Sequence, residues 1–137
     1  MAGNIRLEVV TPQKEVVNEE AQIIVAPGVL GEFGVLIGHT PFMTSLKIGT
    51  LRYTDAQGQE RCVFVSGGFA EALPDKVTVL AESADRRCDI DLVRAQAAME
   101  RAQRRIAEKA DYIDYVRAKM ALKRAIHRIQ MAESRRS

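Results

Sequence analysis

The stretch Ile90-Asp91-Leu92-Val93-Arg94-Ala95, IDLVRA, marks the place where the chain changes from one kind of structure to another. In this chain of 137 residues, every glycine and every proline precedes position 75. The first 88 residues contain 8 Lys or Arg and 11 Asp or Glu, whereas the last 49 contain 12 and 7. This shift in composition and charge predicts two small domains, at 1–86 and 87–137.

The part before IDLVRA has the pattern of short β-strands separated by turns. IRLEVV, residues 5–10, places every second apolar residue on one face, as a half-buried strand does. A buried strand is predicted at 23–26, ending at Pro27-Gly28. Further strands are predicted at 50–54, 62–66, 68–73 and 76–82, with turns at 55–58 and 74–76. Many short strands at close spacing predict an all-β N-terminal sandwich.

The part after IDLVRA has apolar residues at spacings of three and four, which is the period of an amphipathic helix. The first stripe is Leu92, Ala95, Met99, Ala102, Ile106 and Ala110, and the second is Tyr115, Ala118, Leu122, Ala125, Ile129 and Ala132. Asp111 and Asp114 between the stripes favour the start of a second helix. Two helices of about 20 residues each, joined by a short connection, predict a C-terminal antiparallel α-helical hairpin with a thin, alanine-rich contact.

Several classes of function are not expected. No apolar run is long enough for a membrane span, and the N-terminus lacks the pattern of a secretory or transit peptide, so the chain is expected to stay where it is made. Cys62 and Cys88 lie far apart and do not cluster with histidine, which predicts reduced thiols and no metal site. No nucleophile elbow, P-loop, HExxH or EF-hand loop occurs, so catalysis by this chain alone is not expected.

The hairpin pattern predicts a cluster of arginines. Folding the chain about a turn near residue 111 brings Arg94 close to Arg128, with Arg124 one turn from Arg128 and Asp91 one turn before Arg94. Clustered guanidinium groups repel one another unless an anion lies among them, and they bind phosphate bidentately. Asp91 would accept from a ribose hydroxyl or pair with Arg94. On spacing alone, a nucleotide site and a solvated arginine face both remain open.

Three stretches resemble one known family, the ε subunit of the bacterial F-type ATP synthase. They are APGVLGEFGVLIGHTPFMTSLKIGTL (26–51), FVSGGFAEALPDKVTVLAESA (64–84), and the closing pair IDLVRAQAAMERAQRRI with LKRAIHRI. The resemblance extends over essentially the whole chain. It implies a non-catalytic rotor subunit that requires no cofactor, located peripherally on the cytoplasmic face of the bacterial inner membrane without inserting into it. A plastid-encoded protein is the alternative source.

The resemblance implies partners for the β-domain. This domain would bind the γ subunit and rest on the ring of c subunits. Glu32 in GEFG and His39 in GHTP match the loops that face the ring in the family, so both are implied as contact positions.

The resemblance also implies a regulatory role for the hairpin. In the family the hairpin either lies folded or extends along the γ shaft and blocks ATP hydrolysis. The cations implied to contact the α/β catalytic hexamer are Arg117, Lys119, Lys123, Arg124 and Arg128. Some members bind ATP through an I/L-D-x-x-R-A motif and arginines of the second helix. Residues 90–95 match this motif, which implies ATP as a regulatory ligand of Asp91, Arg94, Arg124 and Arg128.

Two other functions are alternatives to the rotor role. A basic hairpin on a β scaffold could bind nucleic acid, but seven acidic residues accompany its twelve basic ones, and aromatic residues for base stacking are few. No nucleic acid partner is therefore expected. A small enzyme built around His39 would require turnover by the purified chain and its loss in His39→Ala.

Overall fold

The computed structural model describes residues 3–108 and 111–134, which form two compact units. The described residues up to Arg87 form a β unit, and those from Cys88 onward form a helical unit. The strands are β1 (Ile5–Val10), β2 (Glu15–Gly28), β3 (Gly31–Val35), β4 (Phe42–Ser45), β5 (Gly49–Asp55), β6 (Glu60–Ser66), β7 (Phe69–Leu73), β8 (Lys76–Leu80) and β9 (Ser83–Arg86). A 3₁₀ turn (Arg87–Asp89) precedes the helices α1 (Leu92–Ala107) and α2 (Tyr112–Glu133).

The strands form one folded sheet in the order β4-β7-β8-β1-β2-β5-β6-β9, with β3 also paired to β2. β1 and β8 run parallel, whereas the other paired strands are antiparallel. The first half of β2 pairs with β1, and its second half pairs with β3 and β5. Because β2 belongs to both halves, the sheet closes over one core as a sandwich, which confirms the predicted fold.

Alternating side chains of the strands fill the core. Ile5, Leu7 and Val9 are fully buried, as the period of β1 predicts. Val77 and Val79 of the parallel neighbour β8 are buried in the same way. Each such aliphatic side chain contributes about 1.5–3 kcal/mol relative to an exposed position, so this core dominates the stability of the β unit.

The prediction for β2 is wrong in extent. This strand begins at Glu15 rather than at residue 23, and it continues through Pro27 and Gly28 instead of ending before them. The polar run Asn18-Glu19-Glu20 lies mostly outside the core, and a register shift between Ala21 and Ile23 interrupts the alternation. A bulge of this kind masks the period of two from which a strand is inferred.

The helical unit is the predicted antiparallel hairpin. Asp91 and Asp111 are the N-cap residues of α1 and α2, and each carboxylate accepts a hydrogen bond from a backbone N–H three residues later. α1 and α2 pack together, and their four buried alanines are spaced seven residues apart on each helix. These residues are Ala95, Ala102, Ala118 and Ala125, and we call them the alanine seam.

Some details of the hairpin differ from the prediction. α1 has 16 residues and α2 has 22, rather than about 20 each. Tyr115, predicted to lie in the contact, is exposed, because it lies only one turn into α2. Ala110, the last residue of the first predicted stripe, lies outside the described residues.

Candidate functional sites

Glu32 is placed on β3, in a hairpin with the end of β2. Its Oε1 lies 3.1 Å from a terminal guanidinium nitrogen of Arg52 on β5. Both β3 and β5 pair with β2, and Val25 is the register partner of Gly34 on one side and of Arg52 on the other. Glu32 lies two residues from Gly34 on β3, so the side chains of Arg52 and Glu32 meet across β2. The sequence analysis missed Arg52, which only the register of three strands reveals.

The turn between β2 and β3 exposes apolar side chains beside Glu32. Leu30 at this turn is 97% exposed, and Val29 before it is also exposed. An isolated exposed leucine needs no explanation, but adjacent exposed apolar residues beside an acidic side chain are typical of a surface that binds another protein.

The ring of His39 is held in its loop by a hydrogen bond and by an aromatic contact. Its Nδ1 lies 2.7 Å from the carbonyl oxygen of Thr40, and because a carbonyl can only accept, Nδ1 carries the proton. The ring packs edge-on against Phe42 at 5.6 Å, and Phe42 packs against Phe33 at 5.1 Å. Since Phe33 follows Glu32 directly, these aromatic rings connect the two predicted ring-contact positions. The sequence analysis missed both phenylalanines.

Asp91 begins α1. Its Oδ1 accepts a hydrogen bond of 3.0 Å from the backbone N–H of Arg94, and its backbone carbonyl accepts from Ala95. A carboxylate at this position also interacts favourably with the helix dipole. The side chain of Arg94 is exposed in the same turn. The IDLVRA stretch therefore forms the start of α1 without the need for any ligand.

Arg124 and Arg128 lie in the C-terminal half of α2 and are half-buried. The antiparallel hairpin places this half of α2 beside the half of α1 that carries Asp91 and Arg94. Between them, His127 has a pKa below its ordinary value, because burial and then the charge of Lys123 disfavour the imidazolium. Lys123, Arg124 and Arg128 give this half of α2 a positive charge, which attracts anions.

The other cations predicted on α2 are exposed. They are Arg117, Lys119 and Lys123, and the Lys119 Nζ lies 5.9 Å from the centre of the Tyr115 ring. No Asp or Glu occurs from Tyr115 to Ala132, whereas five Lys or Arg do. This segment therefore fits an acidic surface or a polyanion.

Within residues 3–108 and 111–134, no three His, Cys, Asp or Glu side chains are grouped so that they could hold a metal ion. The helices described there are also too short or too polar to cross a bilayer.

Comparison with known families matches both units. Residues 4–87 match the family described as ATP synthase, Delta/Epsilon chain, beta-sandwich domain. Residues 89–133 match the family described as ATP synthase, Delta/Epsilon chain, long alpha-helix domain.

Two similar proteins, both named ATP synthase epsilon chain, align over nearly their whole length. The protein from Desulfatibacillum aliphaticivorans is 62% identical over 136 residues, covering 99% of this chain and 96% of the relative. The protein from Desulforapulum autotrophicum is 63% identical over 135 residues, covering 98% and 100%.

Solved structures show a similar fold. A chain of the Euglena gracilis mitochondrial ATP synthase (OSCP/F1/c-ring, rotational state 1) aligns with a TM-score of 0.75 and 24% identity, covering 90% of this chain and 78% of its own. A chain of the Tetrahymena thermophila mitochondrial ATP synthase (central stalk and c-ring) aligns with a TM-score of 0.61 and 11% identity, covering 96% and 98%.

Proposed function

This chain belongs to the family of ATP synthase delta/epsilon chains, and from that membership we propose that it connects the γ subunit to the ring of c subunits in the rotor. As an epsilon chain, it is a non-catalytic accessory subunit of the complex. One observation carries this conclusion: both domains match the family in order, and relatives about two-thirds identical align along almost the entire chain.

The β unit is the part that binds the rotor in this proposal, on the cytoplasmic face of the bacterial inner membrane. The end carrying Glu32, the Val29–Leu30 turn and the His39 loop contacts the c-ring. Its exposed apolar tip and the Glu32–Arg52 pair support this assignment, because protein interfaces combine an apolar centre with a polar rim. The chains it resembles in fold come from assemblies that include F1 or the central stalk together with a c-ring.

Affinity purification of the tagged chain from its own cells tests the rotor role. We expect the γ subunit, the c-ring and the α/β hexamer to co-purify after mild detergent extraction. Recovery of RNA or DNA in place of these subunits, with salt-sensitive binding, would establish the nucleic-acid function instead.

The hairpin is the regulatory part in this proposal, and ATP is its ligand. Asp91, Arg94, Arg124 and Arg128 bind ATP when α1 and α2 lie side by side, because the phosphates neutralise the arginines only in that arrangement. The extended hairpin presents the cations of α2 to the catalytic hexamer and blocks hydrolysis. ATP then shifts the population toward the folded form by its difference in affinity for the two states.

Titration of ATP into the purified full chain, followed by calorimetry, tests this site. Arg94→Ala and Arg128→Ala should each weaken ATP binding by about ten- to a hundredfold, since each removes a charge-assisted hydrogen bond worth about 1.5–3 kcal/mol. Arg101→Ala is the matched control, because Arg101 is exposed on α1 outside the motif. Equal affinities for all three variants and the unaltered chain would show that ATP does not bind at this arginine cluster.

A further inference from the structure

β9 is the strand through which the chain passes from the β unit to the helical unit. It has four residues, Ser83–Arg86, and among the described strands it pairs with β6 alone. Only one of its side chains, that of Ala84, is buried. A short edge strand makes few ladder hydrogen bonds, and an alanine removes little apolar surface from water. β9 therefore gains little stability from its own pairing and packing.

The side chain of Arg86, the last residue of β9, makes a contact with a distant strand. Its Nε donates a hydrogen bond of 2.9 Å to the backbone carbonyl of Val16 on β2, 70 residues earlier in the chain. Val16 lies in the half of β2 that pairs with β1, whereas β9 lies beyond β5 and β6 on the other half of the folded sheet. Arg86 therefore connects the two halves of the sandwich, with a charged donor that makes a stronger hydrogen bond than a neutral one.

A β-bulge in β2 explains why the carbonyl of Val16 needs this partner. Val17 is the register partner of Val9, and Glu15 is the register partner of Val10, so Val16 is left out of the pairing between β1 and β2. Val16 is also only 9% exposed. A backbone carbonyl in such a place requires a hydrogen-bond donor from elsewhere in the chain, and Arg86 supplies one.

The electrostatics of Tyr53 indicate the same direction for the guanidinium group. Burial of the Tyr53 phenol, followed by the effect of Glu19, raises its pKa, and the positive charge of Arg86 opposes this increase. Tyr53 is only 2% exposed and belongs to the core of the β unit. The charge of Arg86 therefore acts on the interior of the sandwich.

We propose that Arg86 is a positioning residue that anchors β9 to β2 and so fixes residues 87–91 as the pivot of the helical hairpin. This inference rests on the proposed function in one respect, which is that the hairpin moves relative to the β unit. Each such movement applies a force to the end of β9. Because Arg86 holds that end to a strand of the other half of the sheet, the backbone changes take place in residues 87–91 and β9 stays paired.

The length of the connection between the two units shows what the anchor achieves. With β9 in place, this connection consists of the five residues 87–91, between β9 and α1. If β9 separated from β6, the next fixed residue would be Ala81, which is buried and whose backbone N–H donates to the carbonyl of Val10 at 2.9 Å. The connection would then consist of the ten residues 82–91. Since the reach of a flexible chain grows with the square root of its length, it would increase about 1.4-fold.

The test uses the isolated full chain and three variants. Arg86→Met keeps most of the aliphatic stem and removes the donor. Arg86→Lys restores a charged donor, because the lysine Nζ lies only one bond farther along the side chain than the arginine Nε. Arg6→Met is the matched control, because Arg6 is an exposed arginine that also contacts β2, through Asn18 and Glu20.

Two quantities are measured for each variant. Amide hydrogen exchange reports the stability of β9 relative to β1 and β8. Electron spin resonance reports the distribution of distances between two spin labels, one at Gln57 in the turn after β5 and one at Arg101 on α1, both of which are exposed. The labels are attached to Gln57→Cys and Arg101→Cys in a chain that also carries Cys62→Ser and Cys88→Ser.

We expect the amides of β9 to exchange about tenfold faster in Arg86→Met, while β1 and β8 are unchanged, which reports that the variant is folded. The distance distribution should become about 1.4-fold wider in the same variant. Arg86→Lys should recover most of the protection of β9 and the narrower distribution. Arg6→Met should act as the unaltered chain does in both measurements.

Four results would overturn the inference. Unchanged exchange of β9 in Arg86→Met would show that its own pairing holds the strand, and equally fast exchange in Arg86→Lys would show that the hydrogen bond to Val16 is not the cause. Faster exchange of β9 with a broad distance distribution of unchanged width would refute the pivot but not the movement of the hairpin. An equally narrow distribution in every variant would refute that movement, and with it both the regulatory part of the proposed function and the pivot.

Discussion

Asp55 shows how a single carboxylate fixes a turn of the β unit. It ends β5 and is almost fully buried. Its Oδ1 accepts hydrogen bonds from the backbone N–H groups of Gln57 at 3.0 Å and Gln59 at 2.9 Å, and its Oδ2 lies 3.2 Å from the Arg61 Nε. The hydrogen bond from the backbone N–H of Gln59 contributes most to lowering the pKa of Asp55 below its ordinary value. Burial acts in the opposite direction.

Stability should therefore depend on pH through this residue. Because the pKa of Asp55 is lower in the folded chain, its carboxylate stabilises the fold above the unfolded pKa of about 3.9, and this contribution is lost as the pH falls through the folded value. The difference in urea midpoint between the unaltered chain and Asp55→Asn should be constant above about pH 5 and shrink in more acidic buffer.

Asp75→Asn is the control for this measurement, because Asp75 is an exposed aspartate in the turn before β8. Its difference from the unaltered chain should be much smaller at neutral pH. A difference for Asp55→Asn that stays constant from pH 7 to about pH 3 would show that the carboxylate does not act through its charge.

Among the elements, the hairpin has the thinner packing. Its seam consists of four alanines, whereas β1, β8 and their neighbours bury valine, leucine and isoleucine. An alanine removes far less apolar surface from water than these residues do. The helices should therefore separate at a lower free energy than the β unit unfolds, which is the property that a switching hairpin requires.

A larger residue in the seam should loosen the hairpin selectively. Ala118→Leu places extra volume where the helix backbones lie close together and should destabilise the hairpin by about 1–3 kcal/mol. Amide hydrogen exchange should then become at least about fivefold faster in α1 and α2 while β1 and β8 are unchanged. Ala107→Leu, at the exposed end of α1, is the control.

The unaltered chain provides a second check on this idea. Exchange in α2 should be faster than in the β core. If α2 exchanges as slowly as the β core, the helices do not separate locally, and the switching role proposed for them has no structural basis.

At the scale of the molecule, the β unit should fold and bind the rotor independently of the helical unit. The core residues of the β unit all lie before Arg87, so a chain ending there keeps its full hydrophobic core. We expect this shortened chain to unfold in a single cooperative transition and to co-purify with the γ subunit, but not to inhibit hydrolysis. Failure to retain γ while folded would place part of the rotor contact in the helices.

The sequence predicts correctly those elements whose formation depends on a local pattern of residues. Alternation in β1 and the acidic residues at the start of the second helix are local signals, and the structure confirms both. β3 and β4 were not predicted, because GEFGV and FMTS show no clear period of two and form strands only through their partners β2 and β7. β9 (SADR) is likewise short and pairs only with β6.

The sites were less accessible to sequence reasoning than the fold. The pair between Glu32 and Arg52 depends on a register across three strands, which no single stretch reveals. The roles of Glu32, His39 and the arginine cluster stay predictions.

The parallel pairing of β1 with β8 has a consequence for the synthesis of the chain. Arg6 and Lys76 are register partners, so the first strand to leave the ribosome gains its second neighbour only after 70 further residues have been made. At about 5–20 residues per second, this delay lasts roughly 4–14 s. During that interval one edge of β1 is open to other nascent chains, which makes this strand the point where a chaperone would protect the newborn protein.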